Sequence, residues 1–254
     1  MKLDFTNKKY LVTSGCSFTD GFNMAEKAAW PYYLSNLLNL ELRNMARGGS
    51  GNEFISDSII RCLENDDDIR KKCIVGIAWS DISRLMSSIK NNDGLNLDTV
   101  QPQDFIENGK YNYVSDASIF FSDIPFCIYK TYLSIIKLTR YLKSYDIPYF
   151  YIDAINKTKI DIIDSNCDKG IWRVYGHANN IMDLNIQEFP HWYGEILNKK
   201  VNSSLFKNFL KIHNYDSILD FLFSDYDKYE SGNPGHPNDI AAKEIAQNIF
   251  EQIQ

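Results

Sequence analysis

"YLVTSGCSFTDGF", residues 10–22, decides how the rest of the chain reads. An apolar, β-rich run climbs to Gly15, and a thiol and two hydroxyls, those of Cys16, Ser17 and Thr19, follow at once. The run reads as a buried strand closed by a tight turn. Small, polar side chains at the end of a first strand put Ser17 forward as a nucleophile, provided the chain also supplies a base and donors for developing negative charge.

Working outward, apolar and polar residues fall into alternating strand and helix patterns. "AAWPYYLSNLLN" carries Trp30, Leu34, Leu37 and Leu38 at helical spacing, with Pro31 at the start, where its missing N–H costs least. "LELRNMA" reads as a short strand broken by "GGSG" at 48–51. "NEFISDSIIRCLEN" is a second amphipathic helix with Asn52 as N-cap. "KKCIVGIAWS" is a continuous apolar run of the kind a strand covered on both faces produces. "FCIYKTYLSIIKLTRYLKSYD" reads as a helix, "IPYFYIDAI" as a strand, and "HPNDIAAKEIAQNIFEQI" as the last helix. This alternation predicts a three-layer α/β/α sandwich with a parallel sheet. Two stretches break it. Residues 85–125 read as an insertion or long loop. Residues 157–232, irregular and rich in aromatics such as Trp172, Tyr175, Trp192 and Tyr193, read as a cap over a single domain spanning 1–254.

Bulk properties remove several classes of function. A net charge of −6 argues against nucleic-acid binding, which needs a concentrated basic face. No 18-residue apolar stretch exists, so no membrane span is expected, and the first residues lack the pattern of a signal peptide. Five cysteines, Cys16, Cys62, Cys73, Cys127 and Cys167, are odd in number and never form a CxxC pair. That usage points to a reducing, cytoplasmic setting and away from a structural metal. The run Asp66-Asp67-Asp68 reads as a solvated loop.

In a parallel sheet with helices on both faces, ligands bind beyond the carboxyl ends of the strands. Three such ends carry small or polar residues: Gly15–Thr19, Arg47–Asn52 and Trp79–Asp81. "NPGHPND", residues 233–239, opens the last helix and brings His236 to the same edge. Serine-based acyl transfer needs a hydroxyl beside an imidazole, a group that orients the ring, and donors aimed at the oxyanion. Ser17 and His236 fill the first place. Gly49 and the turn at Ser17 offer backbone N–H groups. Phe18 and Thr19 stand where the nucleophile elbow of α/β-hydrolases requires other residues, so that reading is set aside.

These blocks resemble the SGNH (GDSL-like) hydrolases. "GCSFTDG" matches the family's first block, "NMARGGSGN" its second, with Gly49 five residues after Asn44, and "AWSD" (78–81) its third. "NPGH" (233–236) stands where the family has D-x-x-H before its last helix. The resemblance implies a flavodoxin-like hydrolase fold, Ser17 as nucleophile, His236 as base, and Asn233 as the group orienting His236. It implies an oxyanion site formed by Ser17, Gly49 and Ser80. Asn52 and Trp79, at the converging strand ends, and Arg84, just past the third block, are candidates for binding the substrate. No cofactor or metal is implied. The expected substrate is a small-molecule or glycan ester, such as an O-acetyl group on a carbohydrate. Two positions depart from the family pattern: Ser80 replaces an asparagine donor, and Asn233 replaces an aspartate, removing the charge that would stabilise the imidazolium. Those departures keep two alternatives open: a non-catalytic glycan- or partner-binding protein of the same fold, and an O-acyltransferase using the same serine. A thiol mechanism through Cys16 is a more distant one, because strand alternation turns Cys16 away from the side of Ser17. Asp225, Asp227 and Asp239 are further acids that His236 has nearby in sequence.

Overall fold

A computed structural model describes residues 1–21, 28–81, 84–91, 94–100, 124–155, 208–229 and 236–254 of the chain. Its centre is a parallel sheet of four strands: β1 (Tyr10–Ser14), β2 (Glu41–Asn44), β3 (Cys73–Trp79) and β6 (Tyr149–Asp153). They lie in the order β2-β1-β3-β6, with β1 and β3 paired from Tyr10↔Cys73 to Ser14↔Ile77. All seven residues of β3 are buried, as its uninterrupted apolar run requires.

Period-two alternation sorts these strands between two hydrophobic cores. On one face Leu11, Ile74, Ala78, Phe150 and Ile152 pack with α2 (Trp30–Leu38) and α8 (Asp239–Ile253). On the other, Val12, Val75, Ile77, Trp79, Tyr149 and Tyr151 pack with α3 (Asn52–Asn65) and α5 (Ile124–Ser144). Each helix offers an apolar stripe at helical spacing: Ile55, Ile59 and Leu63 on α3, Ile135, Leu138 and Leu142 on α5, and Ala242, Ile245, Ala246 and Ile249 on α8. A fully buried Ile or Leu stabilises by about 1.5–3 kcal/mol, so these stripes outweigh the loop contacts described below. The layered α/β/α architecture expected from the alternation is the one observed.

Four local readings change. The three aspartates are not a loop: Asp66 caps α4 (Asp67–Lys72), its side chain accepting from the N–H groups of Asp68 and Ile69. Asp67 and Asp68 then lie in the first turn and Arg70, Lys71 and Lys72 in the last, the arrangement the helix dipole favours. Gly51, not Asn52, occupies the N-cap of α3. In the stretch read as an insertion or long loop, β4 (Leu85–Asn91) and β5 (Gly94–Val100) are strands, paired antiparallel from Leu85↔Val100 to Asn91↔Gly94. Finally, the segment from 208 to 229, read as part of a cap, joins the core around α6 (Ile218–Ser224) and α7 (Tyr226–Tyr229). Leu210, Ile212, Ile218, Phe221, Leu222 and Tyr229 are buried with α8, and Leu210 N–H donates to the Tyr151 carbonyl at 2.8 Å. The aromatics at Trp172, Tyr175, Trp192 and Tyr193 lie outside the described residues, as do 101–123.

Gly76 shows how closely the first core is packed. It pairs with Phe150 across β3 and β6, and a Cβ there would lie 2.4 Å from the Phe150 ring. Gly76→Ala is therefore expected to cost about 1–3 kcal/mol through overpacking. Thermal unfolding should show a fall in Tm of roughly 2–10 °C, and Phe150→Leu in the same chain should recover part of it.

Candidate active site

The carboxyl edge of the sheet carries the candidate residues, and the first turn after β1 is built around Gly15. A Cβ at this position would lie 2.2 Å from Thr19 Oγ1 and 3.1 Å from the Ala78 carbonyl oxygen, so only glycine lets the chain fold back here. One helical turn follows, α1 (Ser17–Asp20), in which Cys16 O accepts from the N–H groups of Thr19 and Asp20 at 2.9 and 3.0 Å. The N–H of Ser17 precedes these bonds, as the first donors of a helix do. Cys16 is fully buried in the first core, in line with the reading that strand alternation turns it away.

Asn44, at the end of β2, braces this turn. Its Oδ1 accepts from Thr13 Oγ1 at 3.0 Å and from Ala46 N–H at 3.1 Å, and its Nδ2 donates to the Thr19 carbonyl at 2.9 Å. The glycine loop after β2 is tied to the same turn: Arg47 N–H donates to Gly15 O at 3.3 Å, and Gly48 N–H to Asp20 Oδ2 at 3.0 Å. Gly49 adopts φ +79°, a left-handed conformation that explains the glycine, and among the described residues nothing accepts from its N–H.

His236 Nε2 lies 2.8 Å from Ser17 Oγ, although 219 residues separate them. The imidazole packs against Phe18, with ring centroids 5.2 Å apart, and its Nδ1 is buried. The following residues anchor it: Asn238 N–H donates to Tyr229 O at 2.8 Å, its Nδ2 to Lys228 O at 2.7 Å, and its Oδ1 caps α8 by accepting from Ala241 N–H at 3.0 Å. A hydroxyl in contact with an imidazole nitrogen is the arrangement in which the ring can take the proton as the oxygen attacks. Asn233 lies outside the described residues. Of the nearby acids, Asp239 is engaged by Lys243 and Tyr33, which hold its carboxyl below the usual range, and Asp225 lies at the C-cap of α6.

At the end of β3 the side chains take other parts than expected. Asn52 is 2 % exposed and does not open toward a cleft. Its Oδ1 accepts from Ser80 N–H at 2.8 Å, while Nδ2 donates to Ser80 O at 3.0 Å and to Thr131 Oγ1 at 3.1 Å. Substrate binding through its amide is thus corrected to a clamp on the Ser80 backbone. Trp79 is corrected too: it is fully buried in the second core, its ring 5.4 Å from that of Tyr151, because it shares strand parity with Val75 and Ile77. Arg84 Nη1 donates to Ser80 Oγ at 3.0 Å. A Cβ on Gly51 would lie 2.3 Å from the Arg84 carbonyl oxygen, so the glycine loop and the Arg84 turn touch directly. The bracing by Asn44, Asp20 and Thr131 lies beyond the sequence reading. An asparagine at a strand end just before a glycine-rich loop is a usable signal for the first; Thr131 offers none. Among the described residues no group of three His, Cys, Asp or Glu side chains is arranged to hold a metal ion, and no helix is long and apolar enough to cross a membrane.

No protein-family model and no curated protein sequence matches the chain. Solved structures similar to it along nearly its full length include GDSL/SGNH hydrolases and esterases. One, from Desulfitobacterium hafniense DCB-2 and assigned to the G-D-S-L lipolytic family, is 13% identical with a TM-score of 0.49, covering 96% of this chain and 99% of that one. Another, the psychrotrophic esterase EstA from Pseudoalteromonas sp., is 9% identical with a TM-score of 0.49, covering 96% of each chain. A member of the G-D-S-L lipolytic family from Veillonella parvula DSM 2008 is 12% identical with a TM-score of 0.44, covering 96% of this chain and 97% of that one. At such identities and scores the chemistry of the site stands on its own geometry.

Two measurements follow from these contacts. Asn52→Ala leaves the buried N–H and carbonyl of Ser80 without their partners, and denaturant unfolding should register a loss of about 1–3 kcal/mol or more. Asp153, at the carboxyl end of β6, is buried, and burial, aided by Asp220, Asp81 and Asp216, pushes its carboxyl from an ordinary 3.8 up to about 8. Below about pH 4 folded and unfolded chains both hold this proton. Between about 4 and about 8 only the unfolded chain releases it, so stability falls as pH rises through that window. Asp153→Asn should therefore gain in Tm relative to the parent from about pH 4 to about pH 8, with no further gain above.

Proposed function

We propose that the protein is a serine esterase, hydrolysing an ester through an acyl-serine intermediate. The observation that carries this reading is the 2.8 Å contact between Ser17 Oγ and His236 Nε2, with two backbone N–H groups, of Ser17 and of Gly49 in the loop tied to the same turn, that no described residue uses. Ser17 Oγ attacks the acyl carbon while its proton passes to His236 Nε2. The carbonyl oxygen becomes an oxyanion, met by the N–H groups of Ser17 and Gly49 and by the Ser80 hydroxyl. The bond to the alcohol oxygen then breaks, and the alcohol leaves with the proton from His236. Water attacks the acyl-serine, gives its proton to His236, and the carboxylic acid departs as Ser17 regains a proton. In this reading Asn233 accepts from Nδ1–H of His236 and fixes the tautomer without adding charge. O-acetyl groups on carbohydrates are the substrates to screen first, in keeping with the resemblance of the four sequence blocks.

Fluorophosphonate labelling followed by mass spectrometry tests the reading. Phosphonylation of Ser17, abolished by Ser17→Ala and reduced by about 10³-fold or more in rate by His236→Ala, is the expected result. Folded protein that never labels, even at alkaline pH, would overturn it and leave the cleft as a binding site. Product analysis with an added alcohol or sugar separates hydrolysis from acyl transfer.

A further inference from the structure

Ser80 is held at three points. Asn52 binds both its N–H and its carbonyl, and the Arg84 guanidinium lies 3.0 Å from its hydroxyl oxygen. A guanidinium carries donors only. In the Arg84–Ser80 bond the serine oxygen is therefore the acceptor, and the serine proton is left to point elsewhere. Among the described residues no acceptor takes it. A hydroxyl whose oxygen already accepts a charge-assisted bond is also polarised into a stronger donor.

The strand register brings Ser80 and the nucleophile to the same edge of the sheet. Ser14 pairs with Ile77 as the last pair of β1 and β3, and three residues beyond it the chain carries Ser17, at the start of α1, and Ser80, just past the end of β3. The turns they enter are in contact, since a Cβ on Gly15 would lie 3.1 Å from Ala78 O. The Arg84 turn presses in the same way on the glycine loop that presents Gly49, through Gly51.

We propose that Arg84 is a positioning residue for the reaction: it pins the Ser80 hydroxyl as an acceptor on one side, so that its proton is aimed at the acyl oxygen on the other. An isolated serine hydroxyl rotates freely and is a poor replacement for a fixed side-chain amide. The serine–arginine pair supplies a fixed donor with a positive charge behind it. This inference rests on the reading of Ser17 as nucleophile.

The test uses the full chain, kcat and KM with p-nitrophenyl acetate, and fluorophosphonate labelling of Ser17 in the same preparations. Ser80→Ala should lower kcat by about 10²-fold, as loss of one oxyanion donor does. Arg84→Ala should lower kcat by about 10-fold with KM within about twofold, the mark of an interaction made in the transition state. Because Arg84 acts through Ser80, Arg84→Ala added to Ser80→Ala should slow the enzyme no further, and added to Ser80→Asn should cost under about threefold. Arg84→Lys keeps a charge but loses the planar fork, and gives the same kcat-only signature if Arg84→Ala unfolds. The proposal is overturned if Arg84→Ala raises KM at constant kcat, or slows the Ser80→Ala variant as much as the parent. A parent protein that never labels at Ser17 defeats the nucleophile itself. One that labels, with Arg84→Ala turning over at the parental rate, defeats only the role of Arg84.

Discussion

β1 and β3 lie side by side from Tyr10↔Cys73 to Ser14↔Ile77, and the arrangement of the site hangs from that parallel pairing. It brings the turn after β1 against the end of β3, where Gly15 is the only residue that fits between Thr19 and Ala78 O. It also sets which side chains of β3 face which helices, and hence why Trp79 enters a core while Ser80, one residue on, meets Asn52 and Arg84. A shift of one residue would exchange those faces.

His236 reaches Ser17 for a different reason. A single hydrogen bond contributes about 1 kcal/mol, far too little to bring together residues at opposite ends of the chain. The apolar stripe of α8 does that work, each buried isoleucine contributing about 1.5–3 kcal/mol. Asn238 also joins the helix start to the backbone of Lys228 and Tyr229, so the segment bearing His236 is held by contacts other than the one to Ser17.

Asparagine recurs at three places where segments meet. Asn44, Asn52 and Asn238 each accept one backbone N–H and donate to a backbone carbonyl of another segment. A carboxamide can do both at once, whereas an ionised carboxylate only accepts. Aspartate appears instead where N–H groups alone need an acceptor, as at Asp66 on α4 and at Asp20 beneath Gly48.

Periodicity and end signals lie within a few residues of each other, so the alternation of strands and helices, the buried β3, the tight turn at Gly15 and the candidate pair Ser17 and His236 could be read from the sequence. The features that differ from the sequence reading are of two kinds. Some carry a local signal: the aspartate cap of α4, the Asp-Gly dipeptide (93–94) that the sequence places between two β-rich runs, and the strand parity that sends Trp79 into the core. Others had no local signal at all. Asn52 looks like an N-cap until Ser80 and Thr131 arrive from distant segments to take its amide, and Arg84 looks like a substrate contact until Ser80 Oγ meets it. A side chain with several possible partners is committed only by which of them the packed sheet brings within about 3 Å. The sequence by itself therefore determined the layers and the residue types at the edge of the sheet. The tertiary structure alone decided which of those residues touch, because those contacts join segments that only core packing brings together.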